Sequence, residues 1–415
     1  MEIEDLQYFR YRLESVKMMI TGKDPIEIEP FRIDSMEIMK DYDNLFFPVF
    51  RMGMTLRNED LYELIKNKTD VKFHIRMIYY EYEENSTKLK SKKNVFDEVF
   101  TTFLEEETPN LDEKTMASVK EVNNKTDEDR DLNDFGSFIE LYLFKEKDLN
   151  VGKSSVNFVF NNSKLDDVIA FMLSKNGMKK VLMTPLENKK AIPEIWVPPT
   201  TLIGGLYHLE QQYGFYSTYS TVFFDIDALY ILSKKMPCTA WRSGEKKRTT
   251  LIVASDLRTE SFYTGTYEEN GNIMVNITKH AVVFNNSSVI SDQISGNNML
   301  VVDQNTGDVT KVKSNTVQRG SGNYQVMVNA YSNPYLTKCE EYSRTENSKV
   351  VTVNISDFDQ FMFSPNKEFS MVFKDNTINK EYGGLYRLSQ SVLKFTKRDE
   401  DFIISGTLTL KMYKK

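Results

Sequence analysis

Glu194-Ile195-Trp196-Val197-Pro198-Pro199-Thr200-Thr201-Leu202-Ile203-Gly204-Gly205-Leu206-Tyr207-His208-Leu209-Glu210-Gln211-Gln212-Tyr213-Gly214 is the stretch on which the fold reading turns. Residues 194–197 read as a strand. Pro198-Pro199 reads as the opening of a helix, because proline's fixed φ suits a first helical turn. Leu202, Leu206, Leu209 and Tyr213 recur at helical spacing and make one apolar stripe, and Gly214 supplies the stop. The segment before it has the same order. Residues 156–160 read as a strand, and Ser163 with Asp166 three residues on reads as a near capping box. Leu165, Val168, Ile169 and Met172 then form a stripe that ends at Gly177, and residues 180–183 make a short strand. A long strand over 221–232 closes the second half. Together these predict an α/β sandwich with both helices on one face of a small sheet.

On either side the pattern is β. Val71, Phe73, Ile75, Met77 and Tyr79 alternate with Lys72, His74, Arg76 and Ile78, the period of a half-buried strand. Pro48 marks the 46–50 run as a strand edge or bulge. Residues 83–134 are charge-rich and read as a long, mostly loop excursion, with an aromatic stretch at 95–104 that docks back, before strand returns at 138–144. Beyond Lys234, alternation recurs in Ile273, Val275 and Ile277, in Tyr324, Val326 and Val328, in Val351, Val353 and Ile355, and in Phe402, Ile404, Leu408 and Leu410. The expected organisation is a β domain over 1–150 carrying the charged loop 83–134, an α/β domain over 151–234, and a β domain over 235–415. The fold class is mainly β with an α/β insert, that is α+β, the outer units being sandwiches or barrels.

Composition narrows the function classes. At 415 residues the chain has room for two to three domains at roughly 150 residues each, and 40% hydrophobic residues supply a sizeable core. The 53 Lys and Arg against 60 Asp and Glu give a net charge of −7, the wrong sign for gripping duplex DNA over a broad surface. Only two cysteines occur, Cys238 and Cys339, without metal-ligand spacing, so a disulfide scaffold is excluded. The first residues lack a basic and then apolar export pattern, and no apolar run is long enough to span a bilayer, which points to synthesis and folding in a reducing cytoplasm.

Chemistry is sparsely signalled. His74, His208 and His280 are far apart and read as surface or interface side chains. No GxSxG, HExxH, CxxC or P-loop motif is present. Asp225 and Asp227, two apart on a strand, would project to one face about 7 Å apart. Without further ligands nearby they read as a solvated strand face. Gly204-Gly205 reads as close helix packing rather than a phosphate loop, and the cluster at Lys88, Lys90, Lys92 and Lys93 as a solvated loop. The expectation is therefore no catalytic residue, no cofactor site and no metal site.

Ile195-Trp196-Val197-Pro198-Pro199, Leu206-Tyr207-His208-Leu209, Gln212-Tyr213-Gly214-Phe215-Tyr216 and Phe223-Phe224-Asp225-Ile226-Asp227 with Tyr230-Ile231-Leu232 resemble a pattern of phage tail hub proteins, which sit at the centre of the contractile-tail baseplate. Tyr382-Gly383-Gly384-Leu385-Tyr386-Arg387-Leu388 before the final strand is similar to the way such chains close. The resemblance implies two tube-like antiparallel β-barrels joined by a small α/β domain. It implies a homotrimer of pseudo-sixfold symmetry in the virion, between the tail tube protein and the central spike or tail lysin, beside other baseplate proteins, with genomic DNA passing unbound and no membrane anchoring. No catalytic residue comes with that family. The alternatives are a distal tail or knob protein of a non-contractile tail, and a cell-wall glycan-binding or hydrolytic module that uses Asp225 and Asp227 or an aromatic loop.

Overall fold

The computed structural model describes residues 9–67, 70–82, 89–102, 136–225, 228–235, 249–253, 266–269, 272–277, 279–284, 297–304, 306–312, 323–329, 333–345, 349–356, 363–365, 367–398 and 401–414. The N-terminal unit comprises β1 (Phe9–Ile20), β2 (Ile26–Ile28), β3 (Ile33–Asp41), β4 (Val49–Leu56), α1 (Asn58–Lys66), β5 (Val71–Tyr82), β6 (Leu89–Thr102) and β7 (Ser137–Lys145). The middle unit follows with α2 (Glu146–Lys153), β8 (Ser155–Ser163), α3 (Leu165–Lys175), β9 (Val181–Met183), β10 (Ile192–Thr201), α4 (Leu202–Tyr213), β11 (Ser220–Phe224) and β12 (Leu229–Ser233). The remainder holds β13 (Thr249–Val253), β14 (Thr266–Glu269), β15 (Asn272–Ile277), β16 (Lys279–Phe284), β17 (Asn297–Asp303), β18 (Val309–Val312), β19 (Asn323–Asn329), α5 (Leu336–Thr345), β20 (Lys349–Ser356), β21 (Glu368–Phe373), α6 (Asn376–Tyr382), β22 (Gly384–Arg398) and β23 (Asp401–Lys414).

Eight strands close on themselves in the order β22-β3-β4-β7-β6-β5-β1-β23, every neighbour antiparallel, with β23 pairing back to β22. The alternation in β5 holds from Val71 through Phe73, Ile75 and Met77 to Tyr79, which are all buried, but it breaks at Ile78, which is buried too, where the pairing with β6 shifts register. Eight strands leave an interior just wide enough for side chains, and here aromatic rings fill it. Tyr11 meets Tyr79 at 5.2 Å and Phe395 at 5.4 Å, while Phe50, Phe96 and Phe100 form an edge-to-face trio.

The barrel is closed by the last two strands of the chain, so the expected division at 150 and 235 does not separate all of its strands. The β22–β23 hairpin serves two sets of partners. Near its open end Leu385, Tyr386 and Arg387 pair with β21, and residues 405–411 of β23 pair with β20. Toward its tip Gln390 to Phe395 pair with β3, and Phe402 pairs with Tyr11 of β1. From this shared hairpin the sheet runs on through β21-β13-β15-β14 on one side and β20-β16 on the other. Among the described residues this second set is an extension of the sheet and not a closed barrel.

Four readings of the middle unit change. Ser163 ends β8 instead of capping α3, its hydroxyl bonding Asn161 O at 3.0 Å, and α3 starts at Leu165 without a side-chain cap. Pro198 and Pro199 lie inside β10 at a register shift against β8, a place where an edge strand tolerates prolines. Helix α4 begins three residues later, with the Thr201 hydroxyl accepting from Gly204 N. The long strand expected over 221–232 is a hairpin, β11 against β12, with Asp225 N bonded to Ala228 O at the turn. The strands form two small sheets, β10-β8 and β11-β12-β9, rather than one. The stripe of α4 is correct: Leu202, Leu206 and Leu209 are buried in a core shared with Val168, Ile169 and Met172 of α3. Gly205 is tightly enclosed, since a Cβ there would come within 2.9 Å of Met172 and Val156.

The charged excursion also changes. Residues 89–102 are a full barrel strand, β6, so Lys90, Lys92 and Lys93 lie on a strand and not on a loop. Lys92 Nζ reaches Glu14 at 3.2 Å. Residues 83–88 and 103–134, like Cys238, Ile226 and Asp227, lie outside the described residues.

Candidate functional site

The segment between β3 and β4 brings the three parts of the chain together. Asp41 organises its own turn: one carboxylate oxygen accepts from Asp43 N and Asn44 N, both at 3.1 Å, and the other from Asn44 Nδ2 and Gln390 Nε2. This turn sends the following side chains in opposite directions.

Tyr42, Phe46 and Phe47 face the middle unit. Tyr42 packs on Phe223 at 4.7 Å, Phe47 stacks on Phe224 at 5.1 Å, and Phe46 meets Tyr207 edge-on at 5.5 Å. Phe46 O accepts from Phe224 N at 2.6 Å. Helix α2 completes the contact, because Gly152 lies against the Phe47 ring and Ile203, and a Cβ there would sit 2.7 Å from that ring. Beneath these rings Lys40 Nζ pairs with Asp225 at 2.7 Å with both side chains buried, and Tyr42 Oη donates to the same carboxylate at 3.2 Å. Burial and the Asp225 charge push the Tyr42 hydroxyl well above its ordinary pKa, so it stays a donor.

Asp43 faces the C-terminal hairpin. Its carboxylate accepts from Arg387 Nη1 at 2.9 Å, Lys411 Nζ at 2.7 Å and Ser389 Oγ at 2.5 Å. Burial works to raise this carboxyl, but the Arg387 and Lys411 charges outweigh it and hold it far below the ordinary carboxylate range. Tyr42 N also donates to Ser389 O at 2.9 Å. A third charged group lies at the foot of α2. Asp148 is buried near Lys145, which itself holds Glu98 at 2.9 Å. Burial pushes the Asp148 carboxyl up to about 6, and the nearby Glu98 and Asp225 charges add to the rise against the pull of Lys145.

The site is therefore a joint. Its charges are matched and inward-facing, and its aromatic contacts fix the barrel, the middle unit and the hairpin in one arrangement. Nothing in it resembles a nucleophile with a base.

The residues singled out by sequence are scattered. Asp225 is not on a solvated strand face; it is the buried acid of the joint. His74 sits on the outer barrel face at 2.8 Å from Asp97, and His208 Nε2 donates to Trp196 O at 3.0 Å. His280 is in β16 on the far extension of the sheet. Cys339 is buried, its Sγ 3.3 Å from Tyr216 O, and burial pushes its thiol up to about 12. Among the described residues no three His, Cys, Asp or Glu side chains converge as a metal would require. Sequence reasoning missed Lys40, Tyr42, Asp43 and Arg387. The available signal was two aspartates, Asp41 and Asp43, followed by Phe46-Phe47 between two strands: turn chemistry beside large apolar side chains with no place on a surface.

This architecture is shared with tail proteins. A tail protein from Neisseria meningitidis MC58 matches with a TM-score of 0.51 at 11% identity, over 97% of this chain and 96% of that one. The 43 kDa tail protein of prophage MuSo2 from Shewanella oneidensis matches with a TM-score of 0.50 at 11% identity, over 95% and 96%. No curated protein matches the sequence significantly. The family described as Bacteriophage PBS1 gene 109 protein matches residues 6–413, and the chain belongs to that family.

Proposed function

We propose that this chain is a structural component of the phage tail baseplate, the hub joining the tail tube to the central spike, and that it has no catalytic role. The observation that carries the reading is the family match over residues 6–413 in a chain whose fold parallels two tail proteins over nearly the full length of each. The joint supports it. A part that transmits force along a tail needs its units locked, and buried ion pairs under stacked aromatic rings lock them. The shared hairpin places two sets of strands side by side, so three copies in a ring would offer six strand sets to a sixfold tube while keeping a threefold face for a spike. The barrel interior is packed with rings, so a DNA path would run between copies, where an acidic chain repels the genome and lets it pass.

Cross-linking of purified particles that carry a tagged copy of the chain tests this. Links to the tube protein and to a spike protein are expected. A chain found only outside particles, or linked solely to head proteins, would overturn the proposal.

A further inference from the structure

The β8–β10 ribbon has two edges, and they are treated differently. On the β10 edge the backbone of Trp196 is fully occupied from α4: its N–H donates to Tyr213 Oη at 3.0 Å and its carbonyl accepts from His208 Nε2 at 3.0 Å. Both groups of Trp196 thus point away from β8. In an antiparallel ladder the residue directly opposite then also points its N–H and C=O away from its partner. That residue is Val159. By the same alternation Asn161, opposite Glu194, points its N–H and C=O outward, its carbonyl accepting from Ser163 Oγ at 3.0 Å, while Asn157 lies at the register shift of β10; no described residue bonds the outward backbone groups of Val159.

Between Phe158 and Asn161 this open edge lacks the usual guards, the irregularities of the ribbon lying at its ends, at the shift between Val197 and Thr200 and at Asn162 with φ 47°. Edge strands are normally protected by charges, prolines, bulges or a cover, whereas β8 reads Ser-Val-Asn-Phe-Val-Phe-Asn-Asn-Ser, without a charge or a proline. Val159 is 59% exposed and its cross-strand partner Trp196 is 50% exposed, an apolar pair on the outer face. On the other face Phe171 of α3, also exposed, meets Phe158 and Phe160 edge-on at 5.4 and 5.5 Å.

The sequence of the edge names its partner. Asn157-Phe158-Val159-Phe160-Asn161 is a palindrome, and Ser155 and Ser163 extend the symmetry. We propose that β8 pairs antiparallel with β8 of a second copy of this chain across a twofold axis at Val159. Val159 then exchanges both backbone hydrogen bonds with its own copy. Asn157 lies opposite Asn161, Phe158 opposite Phe160, and no like charges meet. The product is a four-stranded sheet β10-β8-β8-β10, with Val159 and Trp196 of both copies on one face and both phenylalanine clusters on the other. A threefold ring cannot contain this twofold contact within itself, so the edge joins free chains, or chains of separate rings. The inference does not rest on the hub reading.

Sedimentation equilibrium of the full chain tests it with Val159→Glu and Val159→Lys. Either change places like charges on two residues whose Cα atoms lie about 5.5 Å apart across the axis, and Val159 is exposed in the single chain, so both variants should keep the parent's circular dichroism and melting temperature. The parent should have twice the mass of each variant if the unit is one chain, and at least twice if it is a ring with three such edges. An equimolar mixture of the two variants should recover the doubled mass, because Glu then faces Lys. Equal masses for parent and variants, or folded variants whose mixture does not recover, would overturn the proposal.

Discussion

Replacing Asp43 with Asn keeps the shape of the joint and removes its central charge. Arg387 and Lys411 would then face each other across a neutral amide. Breaking a buried ion pair from one side costs roughly 3–5 kcal/mol, because the remaining charge stays buried. Lys411 is the most accessible of the three side chains, at 21% exposure, and can turn partly to water, which places the expected loss near the lower end, about 3 kcal/mol. For a chain of 415 residues melting as one cooperative unit, an unfolding entropy of about 2.1 cal/mol/K per residue converts this to a drop of roughly 3–4 °C. Calorimetry of parent and variant measures the drop. Adding Lys411→Met to the variant should restore part of it, since one uncompensated cation is gone. The sign with pH is also fixed. The folded Asp43 carboxyl lies below its ordinary value of 3.8, so its contribution is complete above that value and fades as pH falls beneath it. The Asn variant should therefore approach the parent in acid. A variant that melts with the parent at pH 7, or a gap that widens in acid, would refute the reasoning.

Leu206→Asp puts a charge into the core shared by α3 and α4 and should cost several kcal/mol, whereas Gln211→Asp on the exposed face of α4 should change stability by about 0.5 kcal/mol or less; equal melting temperatures would show that the stripe is not the packed face. Asp148 behaves opposite to Asp43. Its folded pKa is raised to about 6, so its contribution is full below 3.8 and is lost as pH rises toward 6. Asp148→Asn should accordingly raise the melting temperature at pH 7.5, and the gain should vanish by pH 4, as a pH series of melts would show.

Much of the fold was legible where burial imposes a regular period. Strand β5 alternates from Val71 to Met77, and the stripe of α4 has helical spacing, so both could be read. Strand β6 could not. Its pairing with β5 slips at Met77 and Ile78, which face Phe96 and Asn94, so Val95 and Phe96 are both buried and the alternation breaks at that bulge. With Lys92 and Lys93 exposed, the remainder looks like loop. The prolines misplaced the start of α4 because Pro198 and Pro199 suit a first helical turn and an edge-strand bulge equally well, and Thr201 was the true cap. Closure of the barrel by β22 and β23 was not readable at all. A pairing such as Gln390 with Asp41 is decided by the assembled sheet and leaves no local pattern. The joint was hidden for the same reason: Lys40, Asp225, Asp43 and Arg387 each look like an ordinary surface charge until the chain brings them together.

A cryo-electron microscopy reconstruction of the intact particle's tail tip, solved without imposed symmetry, tests the proposed structural place on the tail axis most directly. Three copies of this fold are expected in one ring coaxial with the tube, each with its filled barrel and β22–β23 hairpin resolved. A tail tip without this fold, or a ring of six copies, would contradict it.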